Sequence, residues 1–174
     1  MRQPPSSVLF FALLIFSCSL TACWYSFSGA SIPAHLNTVS IPLVDDNSTN
    51  TLTNLDEELT NLLIDRFVRQ TRLSLETSEV SSDALLTARI DRYSNQPTSV
   101  SGQEQATLNR VTISVFVTYR DQVNNADVLN RAFSGFEEYD PLDPQTGLTG
   151  EAAAASAALE KIADDVFTAA TSNW

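Results

Sequence analysis

The stretch from Arg110 to Tyr119 places an apolar side chain at every second position. One face of this stretch is formed by Val111, Ile113, Val115, Val117 and Tyr119. The other face is formed by Arg110, Thr112, Ser114, Phe116 and Thr118. Because successive side chains of a strand point to opposite sides, this pattern predicts a strand with one face against a core. The chain must therefore form a sheet, and elements that cover its apolar face.

Two neighbouring stretches predict partners for this strand. Residues 83–93 alternate in the same way, and residues 128–139 return after a turn at residues 121–126 that contains Asn124-Asn125. A glycine inside the returning strand, Gly135, suggests a bulge. Residues 94–107 are polar and predict a long loop. Together these segments predict an antiparallel meander of three strands.

Helical spacing of leucines predicts a helix over residues 54–70, with Asn54 as its N-cap and Glu57 as the capping-box partner. A second helix is predicted over residues 151–171, where an apolar stripe recurs among alanines. Residues 38–41 predict a first strand, and residues 73–75 suggest another short one. The predicted fold is α+β: a mostly antiparallel four- to five-stranded sheet with two helices packed on one face.

The N-terminus predicts export. An apolar run of about a dozen residues, too short for a membrane span of about 20 residues, ends at Leu20-Thr21-Ala22-Cys23. This tetrapeptide has the pattern of a bacterial lipoprotein processing site, with Cys23 as the residue that receives lipid. The predicted organisation is a lipoprotein signal peptide over residues 1–22, a lipidated N-terminal segment over residues 23–36 and a single domain over residues 37–174. The alternative is an ordinary signal peptide in which Cys23 has no role.

Charge and cysteine content exclude several functions. The chain after Cys23 has 21 acidic and nine basic residues, a net charge of −12, because Arg2 is the only charged residue before it. This acidity argues against nucleic-acid binding, which needs clustered Lys and Arg. It also predicts that the acyl chains, rather than basic residues, hold the protein at the membrane. With Cys18 removed and Cys23 acylated, no thiol remains for a disulfide or a thiolate metal site.

The sequence contains no arrangement typical of an enzyme. His35 is the only histidine and has no neighbouring metal-ligand spacing, so a surface or packing role is favoured over catalysis. The acidic pair Asp45-Asp46 is interpreted as part of a solvated loop rather than a cation site. We therefore predict no catalytic residue, no metal and no cofactor.

Several segments, in this order and spacing, resemble the lipopolysaccharide-assembly lipoprotein family (LptE-like). They are residues 23–29, 38–42, 55–73, 84–97 and 109–120 and the terminal helix. The resemblance implies two helices over a mostly antiparallel sheet, in a lipid-anchored outer-membrane protein that faces the periplasm. It implies a plug in the lumen of a large β-barrel, which helps to assemble that barrel and binds lipopolysaccharide. Arg92 and Arg110, which flank the predicted loop, are the candidates for that contact; their alternative role is that of ordinary strand-end arginines.

A second hypothesis is a lipid-anchored periplasmic module that binds a small ligand on the sheet face opposite the helices. Leu85, Phe116 and either Phe133 or Phe136 would then line the site.

Overall fold

The structure is a computed structural model that describes residues 32–49, 52–98, 108–145 and 147–172. The described elements, in chain order, are β1 (Thr38–Ser40), β2 (Asp45–Asp46), α1 (Leu55–Ile64), β3 (Ser74–Leu75), β4 (Ala84–Thr98), β5 (Leu108–Asp121), β6 (Ala126–Tyr139) and α2 (Gly150–Ser172). A short π-helical segment, Asp65–Arg69, continues α1. No helix among these residues is both long and apolar enough to cross a membrane.

The described strands form one six-stranded mixed sheet, which corrects the predicted count and the mostly antiparallel arrangement. Its order is β3-β1-β4-β5-β6, and β2 pairs separately with β4. The meander β4-β5-β6 is antiparallel, as predicted, whereas β1, β2 and β3 make only parallel pairs. The parallel pairs arise because the chain leaves β1, crosses over through α1 and re-enters the sheet in the same direction. β3 lies within the short strand suggested over residues 73–75, whereas β2, at two residues, is too short to show an alternation in the sequence.

The predicted apolar face of β5 is the centre of the core. Val111, Ile113, Val115, Val117 and Tyr119 are all fully buried, and so are Ala84, Leu86 and Ile90 of β4. Both helices cover this same side, as predicted. The ring of Phe67, just after α1, lies 5.4 Å from that of Tyr119 and 5.5 Å from that of Phe167 on α2. These three rings join the two helices to the sheet.

Gly135 does not form a bulge. It pairs in regular register with Ile113, and the irregularities of the meander lie elsewhere. A Cβ atom at this position would lie 2.4 Å from the backbone oxygen of Ala158 and 2.9 Å from Cγ1 of Ile162. The glycine is required because α2 approaches the strand closely at this point.

Two local predictions were right only in part. Asn54 is the N-cap of α1, as predicted, and its backbone oxygen accepts from the nitrogen of Glu58 at 3.0 Å, but it has a left-handed conformation, at φ 69°, and its side chain makes no cap hydrogen bond. Ser94 to Thr98, predicted as the start of a loop, belong to β4 and pair with β5 as far as Leu108, and the rest of the predicted loop lies outside the described residues. Pro97 fits in this extension because no described strand pairs with the other side of β4 there.

Strand β6 is an edge strand of the sheet. Lys161, the only lysine of the chain, reaches from α2 to this edge. Its Nζ donates to the backbone oxygen of Phe136 at 2.9 Å and to Oε2 of Glu137 at 2.6 Å. One backbone acceptor of the edge is therefore satisfied by a charged side chain.

Candidate binding face of the sheet

The side of the meander opposite the helices is open to solvent, and we call it the open face. Its residues follow from the register: Leu85, Thr87, Arg89, Arg92, Ser94 and Gln96 of β4, Arg110, Thr112, Ser114, Phe116, Thr118 and Arg120 of β5, and Asn130, Ala132, Ser134, Phe136 and Glu138 of β6. Four of the nine described basic residues lie here, although the chain as a whole is strongly acidic. The open face therefore holds nearly half of the basic residues of the described ranges.

Three of the four arginines on the open face have a carboxylate neighbour. Arg89 lies 2.6 Å from Asp91, Arg110 2.6 Å from Glu138 and Arg120 3.7 Å from Asp127. The side chains of these pairs are between a third and a half exposed. Ion pairs this exposed to water contribute little to stability, so an anionic ligand can replace the carboxylate at low cost.

Two of the same arginines also stack on aromatic rings. The guanidinium carbon of Arg89 lies 5.7 Å from the ring centre of Phe116, and that of Arg110 lies 4.8 Å from the ring centre of Phe136. Phe136 is 52% exposed. Cation–π attraction to these rings adds to the ion pairs in holding the two guanidinium groups in place. The open face thus combines positive charge, apolar rings and hydroxyl groups in one plane.

Both predicted lipopolysaccharide-contacting residues lie on the open face, but not side by side. Arg92 is opposite Ser114 in the register, four residues along β5 from Arg110, which corresponds to about 13 Å. Arg92 is exposed, and its side chain makes no ion pair or hydrogen bond with any other residue of the described ranges, whereas the side chain of Arg110 is bonded to Glu138. Arg92 is therefore the more available of the two for an anion.

The residues proposed for a small-ligand site do not converge. Phe133 pairs with Val115, on the helix side, and is 8% exposed, so it cannot line the open face. Two clefts, of about 480 and 470 Å³, lie on the outer side of α1 and between β6 and α2. Neither of them is lined by Leu85, Phe116 or Phe136.

His35 lies beside the turn between β5 and β6, in a hydrogen-bonded cluster. Its Nε2 is 2.6 Å from Oδ2 of Asp121, a residue that is 1% exposed, and 2.9 Å from Nδ2 of Asn124. Burial alone would raise the pKa of Asp121, but hydrogen bonds from Asn124 and His35 outweigh it and hold that pKa below its ordinary value. No group of three or more potential metal ligands occurs among the described residues. Asp45 and Asp46, predicted as loop residues, form β2 beside β4.

Cys23, the predicted lipidation site, lies outside the described residues. The pairing of Arg89 with Phe116 was missed at the level of sequence. The alternation had assigned each residue to the outer face of its strand, but only the register places them opposite each other.

Comparison with known proteins identifies one family from the sequence and shows that solved structures share the fold. The family model LptE, described as lipopolysaccharide-assembly, matches residues 36–170. A lipoprotein B from Nitrosomonas europaea is similar in structure, with a TM-score of 0.51 and 14% identity over 76% of this chain and 81% of that one. A Xanthomonas campestris protein of the DUF330 family has a TM-score of 0.52 and 12% identity over 82% and 90%. No curated protein sequence matches the chain.

Proposed function

The chain belongs to the LptE family of lipopolysaccharide-assembly proteins, and from this premise we propose that it is a non-enzymatic outer-membrane lipoprotein. In this proposal it faces the periplasm and serves as plug and assembly partner of the β-barrel that inserts lipopolysaccharide into the outer membrane. The observation that carries the proposal is the extent of the family match, which covers residues 36–170 and so nearly the whole described domain.

The barrel partnership is tested by purifying the tagged protein from native outer membranes and identifying the proteins that accompany it by mass spectrometry. We expect one large β-barrel to accompany it at a constant ratio. The Cys23→Ala variant, purified from whole cells solubilised in the same detergent, controls for the anchor. Repeated recovery of the wild-type protein without a barrel would contradict the proposal.

The same sample tests lipid attachment at Cys23. The mass of the N-terminal peptide should correspond to a chain that begins at Cys23 and carries acyl chains. In the Cys23→Ala variant we expect the protein to leave the membrane fraction, because the strongly acidic domain has no electrostatic attraction to anionic lipid. An unmodified wild-type peptide would favour the ordinary signal peptide.

We place direct contact with lipopolysaccharide at Arg92 and Arg110. The phosphate groups of such a ligand would pair with the guanidinium of Arg92, which has no partner among the described residues, and displace Glu138 from Arg110, while apolar parts rest on Phe136. Charge-assisted hydrogen bonds to phosphate are stronger than the neutral kind, and Arg binds phosphate in a fork geometry that Lys cannot copy. Contact at this face leaves the helix side free for another partner.

The Arg92→Ala/Arg110→Ala variant should bind purified lipopolysaccharide about tenfold more weakly, which corresponds to about 1.4 kcal/mol of binding free energy. Affinity is measured by titration into the detergent-solubilised, lipidated protein. Arg131→Ala is the matched control, because Arg131 lies on the helix side of the sheet, stacked on Phe133. Equal losses in the control and the double variant, or no loss in either, would exclude the open face as the contact.

A further inference from the structure

The chain that leads from Cys23 into the domain is bound firmly to one end of the sheet. The guanidinium group of Arg72 donates to the backbone oxygens of Ile32, Pro33 and Ala34. His35 then contacts Asp121 and Asn124 in the β5–β6 turn. We call Arg72, His35, Asp121, Asn124 and Asp83 the clasp.

Asp83 completes the clasp from the start of β4. Its Oδ2 accepts hydrogen bonds from the backbone nitrogens of Asn37, at 2.8 Å, and Thr38, at 3.0 Å. These bonds, with that from Asn37 the largest contribution, lower the pKa of Asp83 below its ordinary value. Leu36, between these contacts, is fully buried. The segment that links Cys23 to β1, which we call the connector, is therefore part of the folded domain from Ile32 onward.

The clasped end of the sheet also presents exposed apolar side chains. Val80 is 92% exposed in the loop before β4, and Val123 is 55% exposed in the β5–β6 turn. The two segments are tied together by Gln122, whose Nε2 donates to the backbone oxygens of Glu79 and Ser82 at 2.7 and 3.0 Å. Both valines thus lie at the end where the chain arrives from Cys23.

The length of the chain outside the described residues limits how the domain can stand on a membrane. Ile32 follows Cys23 by nine residues, which span at most about 30 Å when fully extended. Strand β5 has 14 residues and is about 45 Å long. With the far end of the sheet on the membrane, Ile32 would be about 45 Å from the surface, beyond the reach of the connector.

We propose that the clasped end, with Val80 and Val123, rests on the lipid surface in which the acylated Cys23 is embedded. This inference rests on the proposed lipidation. Two valines bury too little apolar area to hold a protein on a membrane by themselves. The short segment between the acylated Cys23 and Ile32 keeps the two valines at a high local concentration beside the bilayer. This high local concentration makes a weak contact effective.

The clasp is what fixes this orientation. If the connector came free as far as Leu36, it would gain four residues and reach about 45 Å, comparable with the length of the sheet. The domain could then turn over and place the opposite end of the sheet on the membrane. His35 and Arg72 are therefore positioning residues for the membrane contact, although neither touches lipid.

Depth-dependent fluorescence quenching tests the proposal. The processed chain has no thiol other than the acylated Cys23, so Val80→Cys, Val123→Cys and Leu148→Cys can each be labelled at one position. Leu148 is fully exposed and follows β6 at the opposite end of the sheet, which makes it the matched control. The lipidated, labelled proteins are reconstituted into phosphatidylcholine vesicles that contain a lipid-borne nitroxide quencher.

We expect quenching several-fold stronger at positions 80 and 123 than at 148, and a much smaller difference when His35→Ala and Arg72→Ala are added to each labelled protein. Equal quenching at the two ends in an acylated protein would overturn this inference and leave the barrel partnership untouched. A label at position 123 that is shielded from water but not quenched by the lipid-borne nitroxide would also overturn this inference, because that result indicates contact with a protein rather than with lipid. An N-terminal peptide without acyl chains would overturn both this inference and the proposed lipidation.

Discussion

Replacing Gly135 with valine is expected to lower the free energy of unfolding by about 3 kcal/mol or more, at the upper end of the cost of overpacking a core. The added atoms would meet the backbone oxygen of Ala158 and the side chain of Ile162, which are 2.4 and 2.9 Å from the position of the first new carbon. The backbone of α2 cannot yield locally, because Ala155, Ala158, Leu159 and Ile162 are fully buried. The helix must therefore move away from β6 as a unit.

Denaturant titration of the purified domain measures this change. Gly135→Ala should fall between wild type and Gly135→Val. Ala132→Val is the matched control: it adds a valine to the same strand, but on the exposed open face, where surface substitutions change stability by about 0.5 kcal/mol or less. A Gly135→Val protein as stable as the control would show that α2 does not lie this close to the strand.

Replacing Phe67 with alanine is expected to lower the free energy of unfolding by about 3–5 kcal/mol, the usual cost of truncating a buried phenylalanine. Phe67 is fully buried and contacts the rings of both Tyr119 and Phe167. The truncation leaves a cavity where α1, α2 and the sheet meet. Since domains of this kind have a total stability of about 5–15 kcal/mol, the variant should lose a third or more of it and unfold at a clearly lower denaturant concentration.

The control for this prediction is Phe136→Ala, the same chemical change at a side chain that is 52% exposed. We expect it to cost less than a third as much, because most of its ring already faces water. Circular dichroism and denaturant titration of the two variants in parallel measure the difference. Similar losses for the two would mean that Phe67 is not a central core residue.

The sequence predicted the parts of the fold that depend on long, regular patterns. The alternation over residues 110–119 identified β5 and its buried face, and the alanine-rich stripe identified α2 to within one residue at each end. Both helices cover the predicted side. Patterns of this length average over local exceptions, so one unusual residue does not change the result.

The sequence did not predict features that depend on a partner distant in the chain. Gly135 suggested a bulge, because its actual cause, the approach of Ala158, is 23 residues away. The parallel strand β2 is held by its neighbour β4 rather than by its own composition. Asn54 is the N-cap of α1, as predicted, but it has a left-handed conformation and its side chain makes no cap hydrogen bond.

In the candidate site, too, the sequence predicted what depends on a regular pattern and missed what depends on a partner distant in the chain. The sequence placed Arg92 and Arg110 at strand ends, but Arg92 lies inside β4, which continues to Thr98, and the register was needed to place both on one face. The pairing of Arg110 with Glu138 joins β5 to β6 and has no signal in either strand alone. His35 seemed isolated because its partner, Asp121, is 86 residues further along the chain.

The side chain of Lys161 affects how the protein behaves before it meets a partner. An edge strand of 14 residues, such as β6, invites pairing with the edge of another molecule. Any such strand would have to displace the ammonium group from Phe136 and Glu137 and leave a cation beside the new pair. The chain thus has its one lysine where a charge opposes the growth of a continuous intermolecular sheet. We therefore expect this charge to protect a newly folded molecule against aggregation along this edge.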